Sequence, residues 1–235
     1  MSQDLSADVF FDLEGWDFRE LFTEGEPVFS ALGERLREFF ERWSNWEILS
    51  DIPRGVHLLG ERISIGASCR IEPGAVIVGP AVIGDGVVIR TGAYIREYVL
   101  LSGTSLVGAH SEIKASILMP GAKAPHQAYV GDSILGRDVN LGAGTILSNV
   151  KNIGREVSFR AGGKLVHTGL KKFGAVLGDG VKTGCNTVLN PGVLLGRACV
   201  TYPNATLRSG YYPAGSLIKV RQQQQIIEKL DRFGI

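Results

Sequence analysis

An apolar residue returns every sixth position through the middle of this chain. Stepping by six from Ile65 meets Ile71, Ile77, Ile83, Ile89, Ile95, Leu101, Val107, Ile113 and Met119. Four residues after most of these stands a small or β-branched residue: Cys69, Ala75, Ala81, Val87, Ala93, Val99, Ser105 and Ser111. Neither a helix period of 3.6 nor a strand period of two yields this spacing. It fits a coil of three short strands, about 18 residues per turn, with one aliphatic side chain per strand filling a triangular interior. Glycine, present 31 times, permits the tight corners between strands. The expected class is therefore all-β, a parallel solenoid.

The series meets Pro125, and the aliphatic position returns in a shifted phase at Leu135, Leu141 and Leu147, then at Leu177, Thr183, Leu189 and Leu195. A phase shift implies an insertion or bulge. Residues 122–128 are expected to leave the coil path as a small loop. Residues 150–173, which carry Lys164, His167, Lys171 and Lys172, are expected to leave it as a longer one, either closing over a substrate or running over the surface. Loops on a rigid scaffold are where function concentrates.

Both ends read as helical. After Pro27, the spacing of Val28, Leu32, Leu36, Phe39 and Trp43 predicts an amphipathic helix that caps the open N-terminal coil. The tail, with Ile226, Ile227, Leu230 and Phe233 on one face, predicts a second helix over the last coil or a neighbouring subunit. The expected organisation is an N-terminal helical cap over 1–58, a β-helix over 59–216 and a C-terminal helix over 217–235.

A net charge of +1 with dispersed basic residues argues against nucleic acid as a partner. No apolar run reaches the roughly 18 residues of a membrane span, and the first residues are acidic where a signal peptide is basic, so no membrane partner and a cytoplasmic location are expected. Cys69, Cys185 and Cys199 are isolated and odd in number, which fits neither a disulfide framework nor a CxxC metal site. Cys69 and Cys199 read as core fillers.

The stretch from Glu112 to Asn149 contains K-A-P-H-Q-A-Y-V-G-D and then V-N-L-G-A-G-T-I. It resembles the acetyltransferase domain of the bifunctional N-acetylglucosamine-1-phosphate uridylyltransferase/glucosamine-1-phosphate acetyltransferase family, which carries K-x-x-H-x-x-Y-x-G-D, V-N-I-G-A-G-T-I and an Asn-Tyr pair. The likeness spans roughly residues 60 to 220 and is close only around this core. It implies a left-handed β-helix of hexapeptide repeats, an exception to the right-handed crossover rule.

The resemblance also implies roles. His126 is similar to the family's general base, a task imidazole suits near neutral pH. Lys114, twelve positions earlier, and Arg96, one coil before that, match the cations that hold a sugar phosphate. Tyr129 and Asn140 match the remaining acceptor-binding positions. Acetyl-CoA, or another acyl-CoA, is expected in a groove between subunits of a homotrimer, with Asn149 at the thioester and backbone amides polarising its carbonyl. Cys185 stands where the family has serine, Val150 replaces the tyrosine, and Lys219 or Arg221 is the candidate for the coenzyme phosphates. No metal is required. No nucleotidyltransferase domain fits into residues 1 to 60, so a stand-alone acyltransferase module acting on an amino-sugar phosphate or a related sugar nucleotide is expected.

Each residue has a plainer reading: His126 as a solvated loop side chain, Arg96 and Lys114 as strand-edge cations, Asn140 as a corner residue. Two alternatives follow. One is a non-catalytic scaffold or regulatory module in which the motif residues are relics. The other is a zinc enzyme of the carbonic anhydrase kind, although His57, His110, His126 and His167 include no close pair. With a candidate base and no convincing nucleophile beside it, direct transfer is expected without an acyl-enzyme.

Overall fold

The computed structural model describes residues 3–221 and Gln223. Its main body is a parallel β-solenoid, the architecture expected of a left-handed β-helix. Three ladders run its length. The first face climbs from His57–Leu59 to Thr206–Leu207, and the second from Ile63–Ile65 to Gly210–Tyr212. The third starts at Arg70–Ile71 and continues through single bridges at Asn140 and Lys182 to Leu217–Ile218. One side chain per strand points inward, so Ile77, Ile83 and Ile89 meet in one coil and Leu189, Leu195 and Thr201 in a late one, all buried. Each buried aliphatic side chain contributes about 1.5–3 kcal/mol, and stacking repeats it coil after coil.

Thr145, Thr183, Thr187 and Thr201 are among the polar residues buried inside. Their hydroxyls pair, Thr145 with Thr183 at 2.8 Å and Thr187 with Thr201 at 2.9 Å, which satisfies groups that burial would otherwise penalise.

The phase shift lies ten residues before Pro125. Tyr94 pairs with Glu112, eighteen residues on, whereas Glu112 pairs with Tyr129 and Tyr129 with Ile146, seventeen each. One residue is missing from the corner between the first and second faces, at Ala115 and again at Asp132, which take φ of +44° and +47°. Leu118 therefore lines the interior, and Met119 joins the outer cluster. The loop expected over 122–128 does not exist: Lys123–His126 is a strand paired with Leu106–Ala109, His126 opposite Ala109.

Each shortened corner is stapled by a buried serine. Ser116 Oγ donates to the Lys114 carbonyl at 2.7 Å and accepts from the Ser133 amide at 3.0 Å. Ser133 Oγ likewise donates to Gly131 and accepts from Ala175. Ser133→Ala orphans the buried Ala175 amide and is expected to destabilise the fold by about 1–2 kcal/mol, read as a lower urea midpoint at unchanged m-value.

The second face is apolar on its outer side too. Val82, Leu100, Ile117, Ile134, Val176 and Leu194 are buried beneath the N-terminal segment. That segment is not one capping helix. A short 3-10 turn, Val28–Ala31, is followed by an extended Leu32 and then by helix Glu34–Arg42, here α1. It lies along the flank of the solenoid rather than over its open end, where Ile52, Val56 and Leu58 pack on the first coil. Arg137 fastens it by donating to the carbonyls of Asp12 and Glu14 at 2.9 and 2.8 Å, and Asp179 accepts from the Asp12 amide at 2.6 Å.

Residues 150–173 do leave the coil, at the same corner that lost a residue. Ser158–Ala161 and Lys164–His167 form an antiparallel hairpin, and Phe159 packs edge-on against Phe29, with ring centroids 5.9 Å apart. Leu217–Ile218, placed at the start of the expected C-terminal helix, is instead the last strand of the third face. Residues 219–221 and Gln223 are irregular rather than helical, and what remains of that expected helix lies outside the described residues. Cys199 is in the core, Cys69 packs at its edge and Cys185 is exposed.

Candidate functional site

The corner between the first and second faces gathers five polar side chains from four successive coils. Lys114 Nζ donates to Asp132 Oδ2 at 2.9 Å, and Asn149 Nδ2 donates to the same oxygen at 2.5 Å. Tyr129 Oη donates to Asn149 Oδ1 at 3.4 Å. A β-carbon on Gly131 would stand 2.7 Å from Tyr129 Oη and 2.8 Å from Asn149 Nδ2, so only glycine lets these side chains close over the backbone. Lys114 and Asp132 keep 16% and 13% of their side-chain surface, which places the ion pair well out of bulk water.

Arg96 lies one coil earlier. Its Nη1 donates to Glu112 Oε1 at 2.9 Å, its guanidinium stands 5.9 Å from the centre of the Tyr94 ring, and Glu112 holds its pKa above the ordinary arginine value. Its Nε is buried with no hydrogen-bond partner among the described residues. Asp132 went unassigned in the sequence although its signal was present, as the last letter of the K-x-x-H-x-x-Y-x-G-D segment.

Burial, followed by the charges of Glu112 and Asp132, pushes the Tyr129 phenol up from its ordinary value, so it remains a neutral donor. Because the folded chain holds this proton more tightly than the unfolded chain, stability is full below the ordinary phenol value, near 10, and falls as pH rises beyond it. Tyr211 and Tyr212 are raised as well. Tyr129→Phe is therefore expected to shallow, without abolishing, the alkaline fall in melting temperature between pH 9 and 11.

His126 sits elsewhere, exposed where the third face turns into the first. Its carbonyl accepts from Gly144, and its ring has no hydrogen-bond partner among the described residues. Cys185 stands two coils further along the same corner: the Gly144 amide meets the His126 carbonyl and the Asn186 amide meets that of Ala143. Lys219 follows the last strand of the third face with its Nζ 5.3 Å from the centre of the Tyr202 ring, and Arg221 is exposed just beyond. Asn140 is on the third face, bridged between Lys123 and Lys182.

Within one chain, then, Arg96, Lys114, Tyr129 and Asn149 line one corner, His126 and Cys185 another, and Asn140 neither. Among the described residues no group of three or more His, Cys, Asp or Glu side chains could hold a metal ion. No helix there is long and apolar enough to cross a membrane.

Fold and site define a parallel β-solenoid that displays a conjoined lysine, aspartate, asparagine and tyrosine at one corner and an uncommitted histidine at the next. Residues 77–195 match the family described as the GMPPB C-terminal domain, and the chain belongs to that family. A bifunctional sugar-1-phosphate nucleotidylyltransferase/acetyltransferase of Sulfurisphaera tokodaii is 41% identical over 115 residues, 49% of this chain and 29% of its own length. The bifunctional protein GlmU of Methanocaldococcus jannaschii is 40% identical over 172 residues, 66% of this chain and 41% of its own length. The chain thus spans well under half the length of these relatives. Among solved structures, an Arabidopsis UDP-N-acetylglucosamine acyltransferase aligns over 72% of this chain and 71% of its own at 12% identity and a TM-score of 0.40, too slight a likeness to bear on function.

Proposed function

We propose that this chain transfers an acetyl group from acetyl-CoA to the amine of an amino-sugar phosphate such as glucosamine-1-phosphate, or of a related sugar nucleotide. The observation that carries the reading is the joined cluster of Lys114, Asp132, Asn149 and Tyr129, in a chain 41% identical over 115 residues to a protein named as a nucleotidylyltransferase/acetyltransferase. Tyr129 and Lys114 offer a neutral and a charged donor to the hydroxyls of the sugar ring.

In this reading the amine nitrogen attacks the thioester carbonyl, a C–N bond forms and the C–S bond breaks. His126 takes the proton released by the amine, and the coenzyme leaves as a thiolate that is then protonated. Asn149 faces the thioester end, Asn140 helps hold the acceptor, and Cys185 with Lys219 or Arg221 flanks the coenzyme. A homotrimer supplies what one chain lacks, because the histidine corner of one subunit can face the lysine corner of its neighbour. The cytoplasm, where acetyl-CoA is available, is the proposed compartment.

Incubation with acetyl-CoA and glucosamine-1-phosphate, followed by free thiol and product mass, is expected to show stoichiometric N-acetylation. A folded protein that acetylates none of a panel of amino-sugar phosphates and nucleotides would falsify the reading. A monomer by light scattering would remove the intersubunit arrangement alone.

A further inference from the structure

A cavity of about 460 Å³ lies between α1 and the corner that carries Lys114, lined by residues that include Arg37, Glu97, Tyr98, Lys114, Asp132 and Lys172. Its size suits a small polar ligand. Its charges are not all available. Lys114 is committed to Asp132 at 2.9 Å, and Glu97 lies 3.9 Å from Arg96 Nε. Arg37 and Lys172 remain, neither with an ion-pair partner among the described residues.

The two cations come from the two segments that do not belong to the repeat, Arg37 from the flanking helix and Lys172 from the end of the insertion. The guanidinium of Arg37, which lines the cavity, is held 5.2 Å from the centre of the Tyr98 ring, a contact that does not neutralise it. Leu36 and Pro80 supply an apolar wall for the carbon face of a sugar ring.

We infer that this cavity receives the anionic end of the acceptor, a phosphate ester, and that Arg37 is a specificity-determining residue for it. The inference rests on the acetyltransferase reading for the identity of the acceptor, not for the existence of the site. Two unpaired cations match the charge of a phosphate monoester, whereas Lys114 and Arg96 already answer carboxylates. The flanking segment is then part of the recognition surface as well as a cover for the second face.

Calorimetry of the full chain with glucosamine-1-phosphate, without acetyl-CoA, tests this. Arg37→Met and Lys172→Met are each expected to weaken binding about tenfold, the scale of one charge-assisted hydrogen bond. Arg37→Lys should lose part of that. Arg42→Met, the same charge change on the same helix facing a different depression, should lose none. Both positions are exposed, so the fold survives the changes. Unphosphorylated glucosamine should be indifferent to Arg37. Unchanged glucosamine-1-phosphate binding in Arg37→Met and Lys172→Met, equal loss in Arg42→Met, or no binding by the wild type would overturn the inference. Binding without acetyl transfer keeps this site and removes the acetyltransferase reading. Transfer with an unaltered KM in Arg37→Met does the reverse.

Discussion

His126→Ala is expected to lower kcat by about 10²- to 10⁴-fold while leaving the affinity for acetyl-CoA and acceptor within a fewfold of the wild type. The ring is exposed on a rigid strand end, its backbone is held by Gly144 and the strand by Ala109, and no side chain competes for its nitrogens among the described residues. Removing it therefore deletes a proton acceptor without loosening the scaffold. His126→Gln, which keeps the bulk and loses the basicity, should fall as far. Added imidazole should restore part of the rate to the alanine variant only. Wild-type turnover in His126→Ala would assign proton removal to water or to another group.

Gly108→Ala is expected to cost about 3 kcal/mol of stability and to reduce activity in whatever fraction stays folded. A β-carbon at this position would overlap the carbonyl of Pro125 in the next coil, and backbone cannot step aside as a flexible side chain can. The strand it pushes on, Lys123–His126, is the one that carries the proposed base. Gly103→Ala is the control: the nearest atom to its β-carbon is the Asp85 carbonyl oxygen at 3.3 Å, and the expected cost is under about 1 kcal/mol. Urea unfolding of the three proteins checks the order.

The coil was legible because its inward positions answer to one geometric requirement repeated without change, and a period of six survives any choice of surface residues. The phase shift was misplaced for a physical reason. Ile117, Leu118 and Met119 are all apolar, because the second face is buried on both sides, so the run satisfies either phase and the discrepancy surfaces only at Pro125. The same doubling was the overlooked clue to the flanking segment: Val82-Ile83, Leu100-Leu101, Ile134-Leu135, Val176-Leu177 and Leu194-Leu195 each place an outer apolar residue beside an inner one.

The spacing of Val28 to Trp43 signalled an amphipathic segment, but the extended Leu32 that divides it is a backbone matter no periodicity reveals. At the site, motif positions were readable while their pairings were not. Lys114 and Asp132 are eighteen residues apart, but in the shortened coil the register partner of Lys114 is Gly131, so the aspartate reaches the lysine from one residue further round the corner, which no spacing rule reveals.

The flanking segment also changes how such a chain comes apart. A solenoid couples each repeat only to its neighbours, so heat or denaturant ordinarily peels it from an end, coil by coil. Here residues 5–43 touch outer side chains from Val82 through Leu194, six coils bound to one continuous piece of chain. Peeling either end must also lift that splint, which rewards the remaining coils for staying together. The molecule should melt as a single cooperative unit whose midpoint is the same for a tryptophan in the splint, such as Trp16, and for amide protection in the most distant coil.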